Sequence, residues 1–202
     1  MSMKAAILTL FFSVLALPAF AYDAPLEIAG LRLGANIAVY EGRTGEGKAE
    51  TDITRPYLKT KVLKDSPGFR SGYVTYGDCA SPGRVERVKM NYMDESKEFF
   101  EKVLAVLSQR YGQPQQWRGN PFGSLLVWKW CLKDPQLGDI SLILQFYSGD
   151  DDSFTKGNSI RLSATDLLAQ EQACHGRKHP EEKVVKPAQP GQDLGIEYFL
   201  PH

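Results

Sequence analysis

Between 95 and 111, apolar side chains recur every three or four residues. Phe99, Val103 and Val106 lie along one line, with Phe100, Leu104, Leu107 and Tyr111 beside them. That spacing predicts an amphipathic helix with a broad apolar stripe. Glu95, Lys97, Glu98, Lys102, Gln109 and Arg110 fill much of the opposite side. Asp94 or Ser96 offers an oxygen to the free amides at its start. Gly112 suits the residue after the helix and Pro114 prevents its continuation.

Elsewhere the period shortens to two. A strand is expected over 84–92 and another over 125–132, where Leu126, Trp128, Trp130 and Leu132 alternate with Leu125, Val127, Lys129 and Cys131. Both sides of that second run are largely apolar, which predicts a strand covered on two faces. After a turn at 134–139, Ile140, Leu142, Leu144 and Phe146 share one face, and an acidic loop follows over 148–158. Ile160, Leu162 and Ala164 then alternate with Arg161, Ser163 and Thr165, as in a half-solvated strand. These three runs predict an antiparallel meander behind the helix. Farther upstream, Leu26, Ile28, Leu31 and Leu33 predict a short strand bent at Gly30, with further strands over 57–63 and 69–76 and a loop or hairpin tip over 41–54. The sum is an α+β domain, a mainly antiparallel sheet with one dominant amphipathic helix, about 95–111, packed on it.

The two ends differ from this body. Lys4 precedes an apolar run over 5–17, Pro18 breaks it, and Ala19-Phe20-Ala21 has the small-x-small pattern of a cleavage site. Residues 1–21 therefore read as a secretory signal, too short in its apolar part to span a bilayer comfortably. The domain is expected over 22–175. Residues 176–202, punctuated by Pro180, Pro187 and Pro190, read as a tail with a terminal apolar segment over 194–200. The expected compartment is the exported one: the periplasm in a Gram-negative source, the exterior otherwise. No later segment is apolar for long enough to cross a membrane. The chain has 24 basic and 24 acidic residues, so its net charge gives no reason to expect nucleic acid as a partner.

Export makes the three cysteines, Cys79, Cys131 and Cys174, candidates for a disulfide. If the 84–92 and 125–132 strands ran parallel, joined by a crossover through the helix, Cys79 and Cys131 would lie at opposite sheet ends. Cys174, two strands later, would return to the end that holds Cys131. This favours Cys131–Cys174, with the other two pairings still open, and makes Cys79 the odd thiol.

The remaining chemistry is sparse. Asp150, Asp151 and Asp152 could offer oxygens to a hard cation, but they do not have the spacing of a calcium loop and suit a solvated hairpin better. Cys174, His175 and His179 are a second possible metal cluster, with Gly176 and Pro180 arguing against a helix there. Trp128 and Trp130 read as core. Trp117, in a loop, reads as an exposed contact, as do Tyr198 and Phe199 in the tail. No nucleophile elbow, zinc-protease helix, dinucleotide loop or phosphate loop is present, and every histidine lies in the last 28 residues. The expectation is an exported binding or adaptor protein without a cofactor. Its ligand would be a protein or a small molecule, held on the sheet face away from the helix or by the terminal apolar segment. The alternatives are a small hydrolase or thiol-dependent enzyme using Cys79, and a divalent-cation protein using the 150–152 loop.

Overall fold

The computed structural model describes residues 23–151 and 154–180. The expected signal, Asp152, Tyr198 and Phe199 lie outside the described residues. A small hairpin opens the fold, β1 (Glu27–Ile28) and β2 (Leu31–Arg32), turning through Ala29 and Gly30 with both at positive φ. Two such residues in sequence give the two-residue turn whose twist matches a hairpin.

The body is one antiparallel sheet of eight strands. These are β3 (Glu50–Asp52), β4 (Arg55–Val62), β5 (Phe69–Gly77), β6 (Val85–Tyr92), β7 (Gln116–Gly119), β8 (Leu125–Asp134), β9 (Gly138–Tyr147) and β10 (Gly157–Ala164). Their spatial order is β3-β4-β5-β6-β10-β9-β8-β7, so β8, β9 and β10 form the expected meander. On one face the register aligns Trp130, Leu142, Leu162, Val88 and Val74 across five strands. None of the five is more than 1% exposed. Helix α1 (Lys97–Tyr111) covers this face, with Phe100 buried against Phe146 and with Val103, Leu104, Leu107 and Tyr111 against the same core. Ser96 caps it by accepting from the Phe99 amide. The Trp130 indole N–H donates to the Gly112 carbonyl at 2.8 Å, tying the helix end to the sheet. Val106, expected in the stripe, is half exposed.

Three expectations are corrected. The first is the parallel pairing of the two strands that flank α1. β10 pairs with β6 and β9 lies between β10 and β8, so three successive antiparallel contacts leave β8 running opposite to β6. The second is the single helix: a second one, α2 (Thr165–Lys178), follows β10 directly and runs through Gly176. Its start is bonded to the β9 end, where Thr165 Oγ1 donates to the Asp139 carbonyl and Asp166 accepts from the Asp139 amide. Its far end reaches Cys79 and the Tyr57 ring of β4. Fourteen residues span about 21 Å at 1.5 Å each, and the four strand spacings from β9 to β4 span about 19 Å. The helix therefore straps the strand ends crosswise.

The third correction is the disulfide. It joins Cys79 to Cys174, with Cα atoms 5.9 Å apart, and leaves Cys131 as the free, exposed thiol. Because β6 and β8 are antiparallel, Cys79 and Cys131 lie toward the same end of the sheet, and the lateral direction of α2 decides the pairing. The helix leads away from β8 toward β4, carrying Cys174 to the loop before β6.

Candidate functional site

The other face of the sheet was expected to be apolar and covered; its centre is polar and half-exposed, and the β9–β10 loop reaches onto it where Thr155 meets Lys89 and Gln145. One residue out of step with the buried row, the register aligns Lys129, Ile143, Arg161, Lys89 and Tyr73 on β8, β9, β10, β6 and β5. The neighbouring rows are hydroxylic and amidic apart from Arg87: Ser71, Asn91, Ser159 and Gln145 on one side, Thr75, Arg87, Ser163 and Ser141 on the other. Ser141, Ser159, Ser163, Thr75 and Asn91 are buried. The result is a floor of small donors with half-buried cations standing over it.

Arg87, Lys89 and Arg161 occupy adjacent strands. Lys89 and Arg161 are direct cross-strand partners, a like-charge pairing that costs stability. Their hydrogen bonds go to neutral groups. Arg87 Nε donates to Ser163 Oγ at 3.3 Å and Lys89 Nζ to Thr155 Oγ1 at 2.5 Å. None of the three makes an ion pair among the described residues; of the cations that act on them, Arg55 pairs with Asp52 at 2.6 Å and Arg70 with Glu95 at 2.5 Å. Burial, then the charges of Arg55 and Arg161, lower the Arg87 pKa to about 10. Burial, then Arg161 and Arg70, lower that of Lys89, and burial with Arg55 lowers that of Arg161. Each cation is thus held where its charge is only partly solvated and is repelled by its neighbours. An anion entering this face would relieve both conditions.

Below the face lies a second unusual feature. The β5–β6 register slips between Thr75 and Tyr76, making Glu86 the extra residue of a bulge. Glu86 and Glu171 of α2 are both 0% exposed. Glu171 accepts from the amides of Cys79 at 2.6 Å and Ser81 at 2.5 Å, holding the loop that carries the disulfide. A side chain on Gly77 would collide with both carboxyl groups, so a glycine is required at that close approach. Burial and the Glu171 charge raise the Glu86 pKa to about 8, which keeps it neutral over most of the physiological range.

The residues singled out from sequence are dispersed. Cys79 is in the disulfide. Cys131 lines a recess of about 250 Å³ with Lys129, Lys133 and Ser141, at the margin of the open face. Trp117 is 56% exposed, but it lies on edge strand β7 against Trp128 rather than in a loop. Trp130 is core, and Trp128 packs against the core partly buried. Asp151 accepts from the Tyr147 hydroxyl at 2.6 Å, in the loop between β9 and β10. His175 and His179 stack with ring centroids 4.4 Å apart at the end of α2. Among the described residues no three His, Cys, Asp or Glu groups are placed to hold a metal ion.

Arg55, Arg87, Lys89 and Arg161 were missed as a group. The signal was present in part, since Arg87, Lys89 and Asn91 alternate with Val88 and Met90 just as Arg161 and Ser163 alternate with Ile160 and Leu162. What the sequence lacked was the pairing of β6 with β10, which adds the two outward rows together. Comparison with family models, with curated proteins and with solved structures finds no match for this chain.

Proposed function

We propose that the chain is an exported binding protein whose ligand is an anion held on the open face of the sheet, over β6 and β10. One observation carries this reading: Arg87, Lys89 and Arg161 stand side by side, half-buried and in no ion pair among the described residues. Like charges gathered on a folded surface are a standing cost, and a bound anion turns that cost into affinity. Export is supported by the signal-like N-terminus and by the Cys79–Cys174 disulfide, a bond that persists in oxidising compartments. Among the described residues no helix is long and apolar enough to cross a membrane.

The test is thermal unfolding against a panel of small anions (phosphate, sulfate, citrate and acetate) at constant ionic strength. At least one of them should raise the Tm of the parent chain, and the double variant Lys89→Gln, Arg161→Gln should lose that rise. An equal rise in both proteins, or none in the parent, would remove this face as the binding surface.

A further inference from the structure

Resting on the anion-binding reading, we propose that the group bound over Arg161 is a phosphoryl group. It would be carried by a small organic phosphomonoester whose organic part lies against Tyr73 and Val62.

The charge count selects the headgroup. Arg87, Lys89 and Arg161 make no ion pair among the described residues, and Arg55 stands close enough to repel both guanidinium groups, with Asp52 and Glu86 offsetting part of this at Arg87 alone. A carboxylate brings one charge and two oxygens, leaving most of this field uncompensated. A phosphomonoester brings between one and two charges and three terminal oxygens. Two guanidinium groups can engage those oxygens in pairs and the ammonium can add a third contact. Ser163 already meets Arg87, and Ser159 lies two residues from Arg161 along β10, on the same face. The face therefore offers hydroxyl donors beside its cations, as an oxygen-rich headgroup requires.

The surroundings select the rest of the molecule. On the β5 side, Lys89 is followed in its row by Tyr73, 38% exposed, and then by Val62 of β4, 52% exposed. An exposed apolar shelf thus adjoins the charged centre on the β5 side. On the other side Ile143 separates Arg161 from Lys129, so the positive row is interrupted where an anionic polymer lying across the strands would need it continued. A lipid bilayer fits no better. Ile53, 96% exposed, is in the β3–β4 turn, and Phe122, 92% exposed, is in the β7–β8 turn. These turns are at opposite ends and opposite edges of the sheet, so the two side chains form no continuous apolar patch for a bilayer. A small molecule with one phosphoryl group and an aromatic or aliphatic body meets both requirements.

The experiment is isothermal titration of the full chain with phenyl phosphate, benzoate, inorganic phosphate, single-stranded DNA and anionic phospholipid vesicles, all at one ionic strength. Phenyl phosphate should bind one per chain, more tightly than inorganic phosphate, and benzoate should be at least about tenfold weaker. Arg161→Gln and, independently, Lys89→Gln should each weaken phenyl phosphate at least about tenfold. Tyr73→Ala should bring phenyl phosphate down toward inorganic phosphate and leave inorganic phosphate unchanged. Benzoate binding as tightly as phenyl phosphate, with the same loss in Arg161→Gln, overturns the phosphoryl assignment and leaves the anion-binding surface standing. Saturable binding of the DNA or the vesicles, lost in Arg161→Gln and without phenyl phosphate binding, also overturns it, in favour of a macromolecular ligand. Phenyl phosphate bound equally by parent and both variants, or no binding by any ligand, overturns both readings.

Discussion

The sheet's two faces are built from the same strands, one residue out of step. The row Trp130, Leu142, Leu162, Val88 and Val74 is buried under α1 and its surroundings, while the adjoining row Lys129, Ile143, Arg161, Lys89 and Tyr73 is open. Alternation along a strand assigns each residue to a face, and a slip of one residue would exchange them. The covered face supplies the free energy of folding by removing apolar area from water. The open face spends a little of it by gathering like charges. Threonines or mixed charges where Lys89 and Arg161 stand would cost less stability, and the proposed anion would offset that cost.

The widest test of this contrast is a truncation on the covered side. Trp130→Ala removes a fully buried indole and its bond to the Gly112 carbonyl. It should lower unfolding free energy in denaturant by about 3–5 kcal/mol, a large part of the 5–15 kcal/mol that domains possess. A loss below about 1 kcal/mol would mean that this face is not the one that stabilises the fold.

Next in size is the strap. Replacing Cys79 and Cys174 together by serine frees a connection of 95 residues and should cost about 2–4 kcal/mol. Alkylating Cys131, exposed at the margin of the other face, should cost nothing measurable in the same denaturation curves. Equal effects from both changes would show that α2 is held by something other than its disulfide.

The strap also shows where sequence reading stops. α1 was legible because its inward residues are all apolar and capped by Ser96 and Gly112. The meander was legible because strict alternation separates Ile140, Leu142 and Leu144 from their neighbours. α2 buries Leu167, Glu171 and Cys174, at the same helical spacing, but the middle member is a glutamate. Hydrophobic periodicity cannot register a stripe whose centre is a carboxylate, and Gly176 weakens the pattern further. The disulfide was misassigned for a related reason, since its pairing depends on the direction of a helix that the pattern concealed. For the open face the rows were visible singly. Their addition depends on β6 pairing with β10 across the whole α1 and meander segment, a long-range choice that no local window contains.

A smaller effect should be visible in pH. Glu86 is buried with a pKa near 8, against 4.5 for the ordinary side chain, its burial and Glu171 being the causes. Between those values the unfolded chain releases a proton that the folded chain keeps. Stability should therefore fall as pH rises through that window and level off above it. Glu86→Gln should flatten the slope and leave the protein more stable than the parent at pH 8, by on the order of 1–3 kcal/mol. Denaturation midpoints at pH 5, 6.5 and 8 decide it. A parent curve that rises over this range would show that Glu86 is ionised in the fold.

The smallest effect is the most telling about the open face. Removing one charge from the Lys89–Arg161 pair should stabilise the folded chain or leave it unchanged, because direct cross-strand neighbours of like sign repel. For Arg161→Gln the expected change is a gain of about 0.2–1 kcal/mol at low salt. The parent should itself gain stability as salt rises from 0.02 to 0.2 M, roughly, since screening weakens the repulsion, and the variant should gain less. The same substitution is expected to weaken anion binding. Better folding with worse binding is the combination that separates a working surface from a structural one. If Arg161→Gln instead destabilises the chain by about 1 kcal/mol or more at every salt concentration, the guanidinium belongs to the fold, and the two faces differ less than their residues imply.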